Sequence, residues 1–406
     1  MEDIYSDAVA LTRRLVQIDS SDPGAYEGEI GTFLYEWLIR QVRENGLVLC
    51  EEGKMQPGRV LVTRREVLPG RYNVMAKIPG YEEGAGLTYI CHMDTVTLGE
   101  GWEEEHLPLS GVIQDGKLYG RGACDMKSGL SCALIAFART LKKAAKEGFP
   151  RRTVTFLGTV DEEDFMRGVE AAIAWGWVNA TDWYLDTEPT DGQIQVAHKG
   201  RLWFELTMQG VTAHASQPWK GADAIAAMAE AIRHIRRRIA DCKEDPELGI
   251  STVTFGQIEG GYRPYVVPDT CKVWIDMRLT PPTDSAAAQA IMDEAIGVAE
   301  REIAGVKGSY VVTGDRPYVE KDPNAPLLLA LENVCKEETG SAQVGIFTGY
   351  TDTAVIAGIL HNPNCMSYGP GSLKLAHKPN EYVPLEDIAR CERVLTKMMV
   401  RFAFFD

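Results

Sequence analysis

Five short segments of this chain carry side chains that could hold metal ions or move protons. The first is Tyr89-Ile90-Cys91-His92-Met93-Asp94, an apolar run ending in a histidine, with an aspartate two positions on. Alternate side chains of an extended strand share a face, so Asp94 lies on the side of His92 if the strand persists. A carboxylate so placed can orient a metal-bound imidazole through its second ring nitrogen. The same pair would equally serve as polar residues at a strand end, facing water.

The second segment, Gly120-Arg121-Gly122-Ala123-Cys124-Asp125-Met126-Lys127-Ser128-Gly129, makes a tight loop with Asp125 just where a helix begins. An N-cap is the plain role for an aspartate there. A dinucleotide loop is excluded, because that fingerprint needs glycine where Asp125 stands. The third, Thr159-Val160-Asp161-Glu162-Glu163-Asp164, stacks four acidic residues at a strand's end. Alone it reads as a solvated acidic loop; if buried, it needs a cationic partner such as a pair of divalent ions. Asp186-Thr187-Glu188-Pro189-Thr190 puts another carboxylate at a strand's end, and His377 lies in Ala376-His377-Lys378-Pro379-Asn380-Glu381-Tyr382-Val383, a loop near the C-terminus.

Their coincidence is what matters. Ligands of an open α/β sheet bind at the carboxyl ends of its strands, and four of the five segments place histidine or carboxylate there. Two neutral imidazoles and three carboxylates suit zinc, with cobalt or manganese accepted. One carboxylate is left to act as a base. Two metals beside a glutamate can activate water and stabilise a tetrahedral intermediate.

The surrounding pattern supplies elements to position these groups. Helical periodicity over 6–18 and 28–45 is followed by short apolar runs at 59–63, 72–78 and 87–91, a helix over 126–146, a strand over 153–160, a helix near 168–178 and a strand at 183–186. Alternating strands and helices predict a wound, mixed α/β sheet. After Gly200 the order becomes strand 201–209, helix 221–239, strands 251–258 and 271–279, helix 285–304 and strand 309–313. This β-α-β-β-α-β order is that of a ferredoxin-like module. Helix 325–338, short strands near 343 and 366, and helix 385–402 return to the first pattern. The expected division is 1–199 and 313–406 for the first domain, with 200–312 inserted into it.

Composition narrows the classes. The 406 residues carry a net charge of −16, which argues against nucleic acid or an anionic membrane as partner but permits a small anionic substrate in a local cationic pocket. Nine cysteines without CxxC pairs argue against a disulfide framework and read as free thiols. The N-terminal segment has no signal-peptide pattern, and no apolar stretch reaches membrane-spanning length. A cytoplasmic protein is the expectation.

The five segments, in order and over nearly the whole chain, resemble the motifs of the acetylornithine deacetylase, succinyl-diaminopimelate desuccinylase and carboxypeptidase G family of two-zinc, aminoacylase-like metallopeptidases. The resemblance implies that His92, Asp125, Glu163, Glu188 and His377 hold two divalent metals. Asp125 would bridge them, Glu188 would share a metal with His92, and Glu163 would share the other with His377. It implies Glu162 as general base and Asp94 as the residue orienting His92. The inserted module resembles the family's lid, which usually dimerises. There Thr212-Ala213-His214-Ala215-Ser216 resembles a motif whose histidine reaches a neighbouring subunit's site, and Arg278 aligns with an arginine that binds a substrate carboxylate. A loop histidine and a surface ion pair are the plain readings of these two. The implied substrate is an N-acyl amino acid or small peptide with a free carboxylate, cleaved at its amide bond. An exopeptidase or dipeptidase, and a non-catalytic metal-binding peptide receptor, are the alternatives. Glu162 beside Glu163 speaks against the receptor, which needs no base. Three residues depart from the family pattern: Cys91 for a glycine, Ser128 for a glycine, and Tyr265 for an asparagine that contacts substrate. Strand alternation points Cys91 away from His92, as a packing residue.

Overall fold

The structure, a computed structural model, describes residues 6–405 apart from 55, 57 and 348. Two compact units emerge. One runs to Val196 and resumes over Lys321–Phe347 and from Thr351; the other is mainly Ala197–Glu320.

The first unit is built on a mixed sheet. Among the described residues its strand order is Val344–Phe347, Ile194–His198, Cys365–Ser367, Trp183–Asp186, Leu87–His92, Val154–Thr159, Arg71–Ile78, Arg59–Leu68 and Val48–Cys50. At its centre Trp183–Asp186, Leu87–His92 and Val154–Thr159 run parallel, with Asp186 opposite Ile90 and His92 opposite Thr159. Every residue of Leu87–His92 is buried, as expected of a strand covered on both faces and hence apolar without alternation. Helix Ser128–Glu147 covers the sheet with a stripe of Leu130, Leu134, Phe137 and Leu141, all fully buried. Each such side chain contributes about 1.5–3 kcal/mol by leaving water. Helix Leu385–Phe404 packs on it with Val394, Leu395, Met398 and Phe402 in the same core.

The second unit is a sheet of order Thr252–Gly260, Thr270–Leu279, Gly200–Gln209 and Lys307–Arg316, antiparallel throughout. Numbered by sequence, that is 2-3-1-4, the order of a ferredoxin-like fold. Helices Ala224–Ala240 and Ser285–Glu302 cover one face with Met228, Ile235, Ile291 and Met292. Side chains alternate along Thr270–Leu279, buried at Cys271, Val273, Ile275 and Met277.

Some expectations move. The inserted unit reaches Glu320 rather than 312, because its last strand, Lys307–Arg316, is longer than the apolar run at 309–313. Helix 168–178 stops at Ala174, shortly before Gly176 in the left-handed region. Helix Asp352–Leu360 has no counterpart in the sequence reading: its residues 352–357 are all buried, so no polar face produces a 3.6-residue rhythm. The cysteines are free thiols. Among the described residues no helix is long and apolar enough to cross a membrane.

One glycine sets the distance between helix and sheet. A Cβ on Gly129 would fall 2.0 Å from the carbonyl oxygen of Thr187, so helix Ser128–Glu147 can begin against the strand end that delivers Glu188 only if residue 129 has no side chain. Gly129→Ala should therefore destabilise the fold by about 1–3 kcal/mol, as overpacking does. Thermal unfolding measures this, and an unchanged midpoint would show that the helix shifts without penalty.

Candidate metal centre

Three neighbouring parallel strands end at the same edge of the sheet. Leu87–His92 ends on His92, Trp183–Asp186 leads two residues on to Glu188, and Val154–Thr159 leads into Asp161-Glu162-Glu163. Two loops complete the group. Asp125 lies in a wide turn, Ala123–Lys127, with non-helical backbone, and it does not cap the following helix, whose N-cap is Lys127. His377 precedes the short strand Tyr382–Pro384, which pairs with Lys117–Tyr119 and so brings its loop back beside Asp125.

Asp125 stands in the middle. Its Oδ1 lies 3.2 Å from Nε2 of His92, and its Oδ2 lies 3.3 Å from Nε2 of His377. Glu188 Oε1 is 3.7 Å from His92 Nε2, and Glu163 Oε2 is 3.1 Å from His377 Nε2. Donor atoms about 2.1 Å from a tetrahedral zinc are about 3.4 Å apart, so both groups have the spacing of ligands around a cation. Asp125 belongs to both, as a bridging carboxylate must. Oxygen atoms of Glu162 and Glu188 lie within 4.8 Å of a nitrogen of His92 and of each other. The five predicted ligands and Glu162 thus come together in one cluster.

The supporting contacts explain how these groups are held. His92 Nδ1 is 3.0 Å from the backbone carbonyl of Asp94 and 3.7 Å from its carboxylate. A carbonyl only accepts, so Nδ1 carries a proton, and Nε2, which faces Asp125 and Glu188, is the nitrogen a metal would take. The main chain of Asp94, more closely than its side chain, orients the imidazole. The carboxylate of Asp94 instead accepts the backbone N–H groups of Glu162 (3.2 Å) and Glu163 (3.0 Å). Asp161 takes a left-handed φ of 69°, a conformation that aspartate tolerates better than most residues. It is fully buried, and Glu162 is 8% exposed, so this stretch is not the solvated loop its charge alone suggests.

Asp125 has a second anchor that sequence reasoning misses. Glu381 Oε1 accepts the N–H groups of Cys124 (2.9 Å) and Asp125 (3.1 Å), while its Oε2 accepts from Arg121 at 2.6 Å. Glu381 sits four residues after His377, and nothing in that spacing alone distinguishes it from a surface glutamate. Cys91 contacts Thr187 Oγ1 at 3.3 Å within the apolar core, which agrees with packing.

The electrostatics favour bound positive charge. Burial pushes the Glu162 and Glu188 carboxyls well above the usual range, with neighbouring carboxylates adding to it. Hydrogen bonds to Asp125 and Glu163 push His377 up to about 10. Burial opposes a proton on His92, yet Glu188 and Asp125 raise it well above the ordinary histidine value. A divalent cation would satisfy the same carboxylates and displace the imidazole protons. The residues present therefore fit a metal pair.

In the second unit, Nδ1 of the exposed His214 accepts from the Ser216 N–H at 3.1 Å, which in the neutral ring puts the proton on Nε2. Arg278 donates Nε and Nη2 to Asp276 at 2.8 and 3.0 Å, and Trp203 Nε1 donates to the same carboxylate. Tyr265 is largely exposed, and its carbonyl accepts from Ala215 N at 3.0 Å. His214 and Arg278 thus belong to this unit, whereas the five ligands and Glu162 belong to the first.

Known proteins share this architecture. Residues 89–401 match the model of peptidase family M20/M25/M40. An acetylornithine deacetylase of Edwardsiella ictaluri is 28% identical over 82% of this chain and 85% of its own. A probable succinyl-diaminopimelate desuccinylase of Staphylococcus aureus is 25% identical over 72% and 77%. Among solved structures, aminopeptidase PepT from Bacillus cereus superposes with a TM-score of 0.74 at 22% identity, covering 97% of both chains. A dinuclear metal-binding M20 peptidase of Bacillus subtilis does so with a TM-score of 0.69 at 17% identity, over 98% and 97%. With a family match across most of its length and the ligand cluster in place, the chain belongs to peptidase family M20/M25/M40, metallohydrolases that cleave amide and peptide bonds of N-acyl amino acids or peptides.

Proposed function

We propose that this protein is a two-zinc deacylase acting on an N-acyl amino acid or small peptide with a free carboxylate. The observation that carries the reading is Asp125 between two imidazoles, with Glu163 and Glu188 completing the two groups and Glu162 beside them. His92 and Glu188 would hold one ion, His377 and Glu163 the other, and Asp125 both. Zinc suits this nitrogen and carboxylate set best, with cobalt or manganese tolerated. When bound, the metal pair supplies an acidified water and a Lewis acid for the scissile carbonyl. Glu162 takes the water's proton and returns it to the leaving amine. His214 donates from Nε2 to the developing oxyanion. Arg278 receives the substrate carboxylate beside its ion pair with Asp276. Nine free thiols suit a reducing, cytoplasmic setting.

The protein should work as a homodimer. Strand Thr252–Gly260 is one of the two outer strands of its sheet and exposes Ile258, and an unpaired edge is a template for pairing with a second copy. His214 would then serve the partner's centre.

Removal of metal should abolish turnover, and zinc, cobalt or manganese should restore it. Glu162→Gln should keep metal content and lose about 10²–10⁴-fold in kcat, whereas Glu163→Gln should lose metal affinity. Elemental analysis beside kinetics on a panel of N-acyl amino acids and dipeptides separates the two. The opposite pattern would reverse the roles, and full activity without metal would sink the reading.

Arg278→Ala should weaken cleavage of substrates with a free carboxylate by about 10–150-fold, the loss of a charge-assisted hydrogen bond worth about 1.5–3 kcal/mol. Amide-blocked substrates should suffer far less. Equal damage to both kinds would leave Arg278 as a partner of Asp276 alone.

His214→Ala should lower turnover while sparing metal content. Mixed dimers of His214→Ala with Glu162→Gln, assembled with two tags, should recover activity to at most about half of wild type, because one of the two sites is then intact. Mixed dimers that form without any recovery would place His214 in its own subunit's chemistry or outside chemistry altogether.

A further inference from the structure

A second carboxylate cluster lies beneath the Asp161-Glu162-Glu163 turn. Oxygens of Asp22, Glu27 and Asp94 lie within 4.8 Å of one another, a spacing a metal could use. A cation of the chain's own stands there instead. Arg71, only 7% exposed, donates Nε to Glu27 and Nη2 to Glu27 at 2.6 Å and to Asp22 at 2.7 Å. Its Nη2 is also 3.3 Å from Asp161 Oδ1, and its guanidinium lies over the Tyr26 ring.

Glu27, fully buried, also holds main chain with the same carboxylate, since Oε1 accepts the backbone N–H of Asp161 at 2.9 Å. Asp94 takes the next two N–H groups, those of Glu162 and Glu163. Two buried carboxylates thus capture three consecutive N–H groups of a left-handed turn. On its outer side, Arg167 closes on the Asp161 carboxylate through Nε at 2.6 Å. A carboxylate can hold an N–H group in a buried site only if its own charge is compensated, and Arg71 compensates Glu27.

We propose that Glu27 and Arg71 are positioning residues: the Glu27–Arg71 pair fixes the turn at Asp161 and thereby the directions of Glu162 and Glu163. The proposal rests on the roles given to those two glutamates. Among the described residues no hydrogen bond or ion pair joins Glu27 or Arg71 to the five ligands, so their effect passes through the turn and the neighbouring Asp94. Positioning partners of metal ligands typically change metal affinity by about 10–100-fold. Arg71→Met should therefore weaken zinc binding by about that factor and lower kcat, with KM changed by no more than about twofold. Glu27→Gln, which keeps an oxygen for the Asp161 N–H, should be milder than Glu27→Ala. Combining Arg71→Met with Glu27→Gln should cause less loss than the product of the single effects, because Glu27 is then no longer a buried charge without its partner.

The test measures zinc and cobalt affinity by chelator competition, kcat and KM separately, and thermal midpoints. Binding and rates are read well below the lowest midpoint. Lowered midpoints with wild-type metal affinity and kcat would overturn the proposal and make the pair merely structural. So would single and double variants whose effects simply multiply. If Arg71→Met does not fold, Arg71→Lys, which keeps the charge and loses the fork, takes its place with the same readouts. A wild-type kcat in Glu162→Gln would remove the base assignment without deciding this question, since metal affinity reports on Glu163 directly.

Discussion

Buried negative charge is the constraint on which the rest of the catalytic unit depends. Asp94, Asp125, Asp161, Glu162 and Glu188 are each less than a tenth exposed, gathered at the ends of three adjacent strands and in the turn Ala123–Lys127 beside them. Carboxylates so placed are tolerable only with cations or many hydrogen bonds. The fold supplies these in layers. Imidazoles meet Asp125, Glu163 and Glu188; backbone N–H groups meet Asp94 and Glu381; guanidiniums meet Glu27, Asp161 and Glu381. What these leave is a cluster with a strong appetite for divalent charge, so the same burial that strains the fold makes a metal site.

Two arginines work from opposite sides with the same logic. Arg121 compensates Glu381, which holds the backbone of Asp125; Arg71 compensates Glu27, which holds the backbone of Asp161. In each case a buried carboxylate grips main chain at the site, that of Asp125 itself and that of Asp161 just before Glu162 and Glu163. Arginine suits this role because its planar fork can serve two oxygens at once.

Much of the metal-ligand cluster is legible in the sequence. His92, Asp125, Glu162, Glu163, Glu188 and His377 stand out because they are chemically loud residues at the ends of apolar runs, and the fold brings them together. The ferredoxin-like order is equally readable, since strand Thr270–Leu279 alternates buried and half-buried residues along its whole length. The gripping residues are not readable. Arg71 and Glu27 are separated by 44 positions and joined only through the folded sheet. Each looks like an ordinary charged residue, and periodicity says nothing of a polar contact. The sequence draws attention to the side chain of Asp94, although its carbonyl makes the closer contact with His92. Helix Asp352–Leu360 stays hidden because its first six residues are all buried and give no rhythm.

Glu162 and Glu163 are adjacent and chemically identical, so only the backbone can divide their work. With Asp161 turned left-handed, successive residues leave the strand direction, and Asp94 takes both of their N–H groups in one carboxylate. Glu163 is thereby set against His377, where both of its oxygens lie within 3.2 Å of Nε2. Glu162 falls on the side of His92 and Glu188, close to them without an ion pair to either imidazole among the described residues. A carboxylate committed to an imidazole has the position of a ligand. One that is buried in the same cluster without an ion pair to an imidazole fits the proton-carrying role proposed for Glu162. On the proposed roles, the difference between ligand and base would rest on three main-chain hydrogen bonds and one positive φ, rather than on the identity of either side chain.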